Sequence, residues 1–351
     1  MMNVGILGGT RFIGFHLAEA FLARGDKVTI LHRGRQIEPH PFSGSVNRVF
    51  GDRSKPDTLE PFFSASYDAL IDLSGYTTAH VEPLLSRWRG KIGHYVFCST
   101  TAVYRRPPPL PFDEQAARAL EPGTYGGDKA RAEDAILNAA RRHCWPATVL
   151  RPQGVFGPFD PGPWLVYIWQ RLRATQPIPI RPETSGKKIT PLWIGDLTNI
   201  FLCAVGNPKA FGQIFNATGT EAITPEHLTI LAAKTAQMEK CESFVLERQV
   251  SQGLPHLGLP WERHDLVADA RKVWRELELA ATPLEQALHH TWDWCRSQPG
   301  LLEWRPQRWE QQARQDRPPP TWKHLYWRLR DHLRLLPIVD RCVQRLRRKR
   351  H

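Results

Sequence analysis

The chain has 351 residues, 41% hydrophobic and 23% charged, with a formal net charge of +12; it is long enough for one large domain or two, with the balance of a soluble globular protein. No apolar run approaches the ~18 residues of a membrane span, and the N-terminal apolar run is too short for a signal peptide. The six cysteines are scattered singly without CxxC spacing, which argues for reduced thiols in a cytoplasmic setting and against a structural zinc or other metal site.

A short apolar run (Val4, Ile6, Leu7) leads into Gly8-Gly9-Thr10-Arg11-Phe12-Ile13-Gly14, and a helical pattern follows (Phe15, Leu17, Ala18, Phe21, Leu22). Strand, glycine turn, helix is the context in which such glycines mark a dinucleotide site. Gly8 lets the chain turn out of the strand, Gly9 lets the backbone approach a pyrophosphate, and Gly14 lets the helix pack close to the sheet. The free N–H groups of the helix N-terminus then face the phosphates.

Asp26–His32 reads as a second strand, followed by Arg33-Gly34-Arg35, and Val46–Phe50 as a third, ending at Gly51-Asp52-Arg53. Thr58–Phe63 is helical, Tyr67–Leu73 a buried strand, Thr77–Trp88 a helix and His94–Ser99 another strand. A proline-rich loop (Pro107–Pro111) precedes a long helix, Tyr125–His143, and a strand, Ala147–Leu150, ending at Arg151-Pro152. This alternation calls for a doubly wound α/β fold, a parallel sheet covered on both faces. Beyond Arg151 the pattern loosens into a helix (Trp164–Arg173), a proline-rich connection (Gln176–Gly186), a strand candidate (Ile189–Ile194) and a helix (Asp196–Val205). A short strand at Gln213–Asn216 is expected to rejoin the first sheet, and helices follow at Thr224–Gln237 and Pro283–Cys295. The expected division is a dinucleotide-binding domain over 1–150, a smaller substrate-binding part over 151–296 and a basic tail over 297–351.

Tyr125-Gly126-Gly127-Asp128-Lys129 opens the long helix and puts Tyr125 and Lys129 on one helical face. An ammonium near a tyrosine hydroxyl lowers its pKa from the usual ~10, which makes Tyr125 a candidate acid/base for a carbinol or carbonyl. Alone, Tyr-x-x-x-Lys is as readily a surface pair. It gains weight by following a glycine turn and the hydroxyl-rich strand end Ser99-Thr100-Thr101, where such sheets bind ligands.

In order, LGGTRFIG (7–14), GDR (51–53), FCSTTAVY (97–104), YGGDK (125–129), RPQGVFGP (151–158), WIGDL (193–197) and FNATG (215–219) resemble the extended short-chain dehydrogenase/reductases, or NAD-dependent epimerase/dehydratase family. DLVADARKVWRELEL (265–279) and TPLEQALHHTWDW (282–294) resemble that family's closing segments. The resemblance implies a Rossmann-type fold and a catalytic set of Thr100, Tyr125 and Lys129, with Ser99 the nearest alternative to Thr100. Tyr125 would remove or return the hydroxyl proton, Lys129 hold the ribose, and Thr100 hydrogen-bond the substrate oxygen. Gly8, Gly9, Thr10, Arg11, Phe12, Ile13 and Gly14 would meet the pyrophosphate, Leu73, Ser74 and Gly75 border the cofactor, and Pro152 line the nicotinamide pocket. Asp52, with Arg53 beside it, would receive the adenine amino group; a local Asp52–Arg53 ion pair is the competing reading.

Arg11 departs from the family pattern, replacing the middle glycine. The GGTRFIG form is typical of an atypical branch that includes the chloroplast stem-loop-binding proteins, some of which have lost catalytic residues and bind RNA. This chain keeps Thr100, Tyr125 and Lys129, which favours retained chemistry. A dehydratase would add an Asp-Glu pair where Thr101 and Ala102 stand, so epimerisation or reduction is favoured over dehydration.

An NAD site normally ends its second strand with Asp or Glu. Here that place is His32, followed by Arg33 and Arg35, with Arg11 opposite. Guanidinium groups can grip a 2′-phosphate, so NADP is expected ahead of NAD, with solvated loop charges the alternative. The resemblance implies a small-molecule substrate such as a nucleotide-sugar, which Arg181, Lys187 and Lys188 could meet. Trp164, Tyr167 and Trp193 are pocket candidates that serve equally as core.

From Gln298 to His351 there are 14 Lys/Arg against 5 Asp/Glu, a balance of +9 out of the chain's +12. Thr321–Leu336 reads as an amphipathic basic helix, with Trp322, Leu325, Tyr326, Leu329, Leu333 and Leu336 on one face. Such a tail can lie on an anionic membrane surface, grip nucleic acid, or dock on the body or a second subunit in a homodimer. The expected function is an NAD(P)-dependent epimerase or reductase; the alternative is an RNA-binding member of the same family.

Overall fold

Asn3–Leu7 (β1) lies inside a seven-stranded sheet because its apolar side chains find cover on both faces. The computed structural model describes residues 1–34, 38–87, 91–162, 164–239, 241–246 and 260–304; Arg35, Trp88 and the tail from residue 305 lie outside the described residues. The remaining strands are β2 (Lys27–His32), β3 (Val46–Phe50), β4 (Ala69–Asp72), β5 (Tyr95–Cys98), β6 (Ala147–Pro152), β7 (Ile178–Ile180), β8 (Ile214–Ala217) and β9 (Ser243–Val245). The helices are α1 (Phe12–Ala23), α2 (Glu60–Phe63), α3 (Thr78–Arg87), α4 (Tyr125–His143), α5 (Trp164–Arg173), α6 (Ile194–Ala204), α7 (Pro225–Thr235), α8 (Arg271–Glu276) and α9 (Leu284–Ser297).

The large sheet runs β3-β2-β1-β4-β5-β6-β8, every pair parallel. Its register sets Leu7 against Leu31 and Asp72, and Cys98 against Leu150. The carboxyl ends of the central strands therefore lie side by side, where such a sheet binds its ligands. One face is covered by α1, α6 and α8 through Leu17, Phe21, Leu197, Phe201 and Val273. The other is covered by α2, α3 and α4 through Phe62, Phe63, Val81, Leu84, Ala132 and Ile136. A third core gathers α5, α7 and α9 around Trp169, Leu228 and Leu288. Each fully buried side chain of this kind contributes roughly 1.5–3 kcal/mol.

As expected, β8 rejoins the sheet beside β6. The strand expected over Ile189–Ile194 does not form. Ile189 makes only isolated bridges to Ile223 and Leu266, Pro191 has no N–H to give a ladder, and Ile194 already opens α6. The connection expected over Gln176–Gly186 instead holds β7, which pairs with β9 in a separate two-stranded sheet. Asp196 lies in the first turn of α6 but reaches across to accept from the Thr282 N–H and hydroxyl, at 3.0 and 2.7 Å.

The long helix α4 matches its expected bounds, and local chemistry explains both ends. The Thr124 hydroxyl accepts from Gly127 N–H at 3.1 Å, a cap contributing about 1 kcal/mol. Cys144 closes the helix at φ 54°, and Arg141, Arg142 and His143 complement the dipole in the last turn. Among the described residues no helix is long and apolar enough to cross a membrane, and Cys98, Cys144, Cys203, Cys241 and Cys295 are free thiols.

Candidate active site

The glycine turn leaves β1 with Gly8 at φ +96°, a left-handed conformation that only glycine adopts without strain. A Cβ on Gly14 would lie 2.3 Å from Gly8 O, so the third glycine is what lets α1 start against the turn. The second has a packing role beside the one expected. A Cβ on Gly9 would run into the Ile30 side chain at 2.7 Å, so Gly9 is needed for packing on β2. Arg11 is the exposed N-cap residue, its side chain makes no capping bond, and no acidic residue lies in the first turn with Phe12 and Ile13. Free amide donors and the helix dipole together suit an anion. Thr10 is buried within the turn.

Beside this turn runs the loop after β4. Ser74 lies next to Gly8, Leu73 N–H donates to Leu7 O at 3.1 Å, and Ser74 hydroxyl reaches the same carbonyl at 3.3 Å. Under it sits a residue that no motif picked out, the fully buried Asp72. Its carboxylate accepts from Arg53 Nη2 at 2.8 Å, Tyr95 hydroxyl at 2.7 Å and Ser74 N–H at 2.9 Å. Gly75 packs directly on this pair, since a Cβ there would meet Asp72 Oδ2 at 2.8 Å and Arg53 Nη1 at 3.0 Å. Arg53 thus turns inward to Asp72 and braces the loop from below. Asp52 Oδ1 accepts from Ser54 N–H and hydroxyl, at 3.0 and 2.8 Å. The signal for Asp72 was present in the sequence: a carboxylate inside a buried strand needs a buried cation.

At the end of β2, both ring nitrogens of His32 are buried without a hydrogen-bond partner, and its ring lies 4.5 Å from that of Phe50. Burial lowers the His32 pKa, which keeps the imidazole neutral. Arg33 is exposed, while Arg48 on β3 is paired with Glu38 at 2.9 Å.

Thr100, just past β5, accepts from Ala102 N–H at 3.1 Å, and its hydroxyl lies on the Tyr125 side, where it draws the Tyr125 pKa down. Ser99, the alternative, has a buried hydroxyl with no partner. Tyr125 opens α4 where Gly126 packs on the backbone after Thr100; a Cβ there would lie 2.0 Å from Ala102 O. Lys129, one turn on, is 2% exposed and donates to Cys98 O at 2.6 Å. The expected lowering of the Tyr125 pKa is not what the geometry gives. Burial, together with Cys98 and Tyr76, pushes it up to about 12, and Thr100 only partly opposes this. Lys129 spends its charge against the Cys98 carbonyl and the rings of Phe97 and Tyr76, at 4.5 and 5.2 Å. With 54% of Tyr125 open to water, solvent moderates the shift without reversing its direction.

The same helical stripe continues to Glu133, which is fully buried and holds Arg151 by two bonds of 3.0 and 2.6 Å. Arg151 also donates to Tyr104 hydroxyl at 2.8 Å, and Tyr104 donates to Asn216 at 2.5 Å. This network pins α4 to β6 and β8 and leaves the buried Pro152 at the end of β6.

The other candidates are less central. Arg181 is paired with Glu183 at 3.3 Å. Trp164 packs edge-on against Phe156 and Trp261, Tyr167 lies buried under Arg171, and Trp193 stacks on His290. A groove of about 280 Å³ between α3 and α4, lined by Glu82, Leu85, Asn138 and Arg142, contains none of the motif residues.

The model of the NAD dependent epimerase/dehydratase family matches residues 4–217. The chain is 32% identical over 242 residues to the chloroplast stem-loop binding protein of 41 kDa b from Arabidopsis thaliana, covering 65% of this chain and 62% of that protein. It is 31% identical over 183 residues to sterol demethylase protein B from Methylococcus capsulatus, covering 47% and 55%. The chain thus spans less than two thirds of the length of these curated relatives. In fold it is similar to UDP-glucose 4-epimerase from Thermotoga maritima, solved with UDP-glucose, at TM-score 0.70, 17% identity and coverage of 84% and 99%.

Proposed function

This chain belongs to the NAD dependent epimerase/dehydratase family, and from that premise we propose that its strand-end cleft binds a nicotinamide dinucleotide, NADP ahead of NAD, and oxidises or reduces one carbon of a nucleotide-sugar or similar small molecule. The observation that carries this reading is the packing of Gly126 on Ala102 O, which sets Tyr125 beside the strand end of Thr100 and one turn from the buried Lys129, at the same strand ends as the glycine turn. The residues fit a dinucleotide: α1 opens with uncapped N–H groups, and Ser74 lies against Gly8. When bound, the nicotinamide ring supplies the hydride donor or acceptor.

Tyr125, with its pKa pushed up, holds its proton at neutral pH and is set to donate it to a carbonyl oxygen that becomes a carbinol. Thr100 hydrogen-bonds that same oxygen. In the reverse direction Tyr125 must first lose its proton, which a cation brought against the ring would favour. Reduction and epimerisation share this step. NADP is favoured because β2 ends in a neutral His32, with no carboxylate to hold a ribose 2′-hydroxyl, and Arg33 lies exposed beside it. Calorimetric titration with NADPH, NADH and NADP⁺ tests the site. Arg33→Ala is expected to weaken NADPH roughly tenfold, the loss of one charge-assisted phosphate contact. Preference for NADH would reverse the choice of cofactor, and binding of none of them would sink the enzyme reading.

A second reading, RNA binding, is favoured by the 32% identity to a protein named for stem-loop binding. Under it, Tyr125→Phe leaves RNA affinity unchanged, and truncation at Ser297 abolishes the part carried by the tail.

A further inference from the structure

The loop after β4 carries one side chain that no motif singles out. Tyr76 is 47% exposed, and its ring reaches both groups of the proposed reaction. Its centroid lies 6.4 Å from that of Tyr125, at an interplanar angle of 47°, and 5.2 Å from Lys129 Nζ. Phe97, on β5, lies 4.5 Å from the same ammonium. Lys129 therefore sits between a ring of the sheet and a ring of the loop, with a carbonyl, Cys98 O, as its 2.6 Å acceptor. A lysine is rarely this buried without an acidic partner in contact; here it is 2% exposed.

The loop holds Tyr76 in place by independent contacts. Its N–H donates to His80 Nδ1 at 3.3 Å, and its ring lies edge-on to His80 at 6.3 Å. Gly75, immediately before it, is seated on the Asp72–Arg53 pair.

We propose that Tyr76 is a positioning residue: its ring covers Lys129 and, by cation–π attraction, holds the ammonium at the Tyr125 end of the cleft, where a nucleotide's ribose would meet it. The ring face does this and the Tyr76 hydroxyl does not. The proposal rests on the reading of Tyr125 and Lys129 as the reacting pair.

Two measurements on the full chain test it: the rate of reductive methylation of Lys129 by formaldehyde with cyanoborohydride as the hydride donor, read by peptide mass spectrometry, and NADPH affinity by calorimetry. Tyr76→Ala is expected to speed labelling about tenfold and weaken NADPH about fivefold, a loss of the size expected for one partly exposed cation–π contact. Tyr76→Phe keeps the ring and should match the unaltered protein in both. Tyr76→Leu, which keeps bulk without a π face, should label slowly yet bind NADPH as weakly as the alanine variant. Unchanged labelling and affinity in Tyr76→Ala would overturn the proposal, as would a Tyr76→Phe variant that behaves like alanine. If the unaltered protein binds no nicotinamide nucleotide, the parent reading fails, while the labelling ratios still decide whether Tyr76 covers Lys129.

Discussion

A phenol whose pKa burial raises and a buried lysine packed against two rings make an acid-ready pair before any ligand arrives. Ultraviolet difference titration of the protein against Tyr125→Phe should therefore show no Tyr125 phenolate below about pH 10, the value of a free phenol. A transition near pH 8 would mean that Lys129 already lowers the tyrosine. With a substrate in hand, Tyr125→Phe should cost about 10²–10⁴-fold in kcat, the span of a lost acid/base. Thr100, Tyr125 and Lys129 could be nominated from sequence because each sits in a short local pattern, Ser99-Thr100-Thr101 or Tyr125-x-x-x-Lys129. For Asp72 the sequence signalled the need for a buried cation but not which one: Arg53 is 19 residues away, after β3, and meets Asp72 at the end of β4 only in the finished fold. Tyr76 was invisible for a similar reason, since its partners come from α3 and α4.

Among elements, α4 depends on two glycines that the motif alone does not explain. Gly126 packs on Ala102 O and Gly127 on Glu121 O, where added Cβ atoms would lie at 2.0 and 2.1 Å. Backbone cannot yield as a flexible side chain does. Gly126→Ala is expected to cost about 1–3 kcal/mol in stability, the range for overpacking. It should also part Tyr125 from Thr100, weakening turnover more than NADPH binding. Urea midpoints and calorimetry on the one variant separate the two effects; unchanged stability would show that α4 can slide. Elements built from local pattern, such as β1, α1 and α4, were readable from sequence. β7 was missed because Ile178–Ile180 is three residues long, contains Pro179, and finds its partner only at Ser243–Val245. The apolar stretch at Ile189–Ile194 misled in the opposite sense, since burial there comes from tertiary packing without a ladder.

Across the whole molecule, acid should be the weak point of the sheet. His94 lies just before β5, 1% exposed, with Nδ1 accepting from Gly206 N–H at 3.1 Å and Nε2 meeting Thr148 hydroxyl at 2.9 Å. Burial pushes its pKa down to about 4, against 6.5 for the free side chain. The folded value is depressed, so this stability is complete above about pH 6.5 and drains away as pH falls towards 4, a loss of about 3 kcal/mol. Urea midpoints between pH 7 and pH 4 should fall more steeply in the unaltered protein than in His94→Gln. Equal slopes would place the acid sensitivity elsewhere. The parallel order of the sheet was legible because strands and helices alternate; the side chains that lock its edges together were not, since they meet only across the finished fold. One of those locks has a further consequence. Tyr125, Lys129 and Glu133 share a single stripe of α4, the first two facing the cleft and the third gripping Arg151. A helix turns about 100° per residue, so deleting any one residue between Tyr125 and Glu133 would swing either the chemistry or its anchor off the sheet. Lineages descending from this chain can lengthen or shorten that helix beyond Glu133, but not between Tyr125 and Glu133.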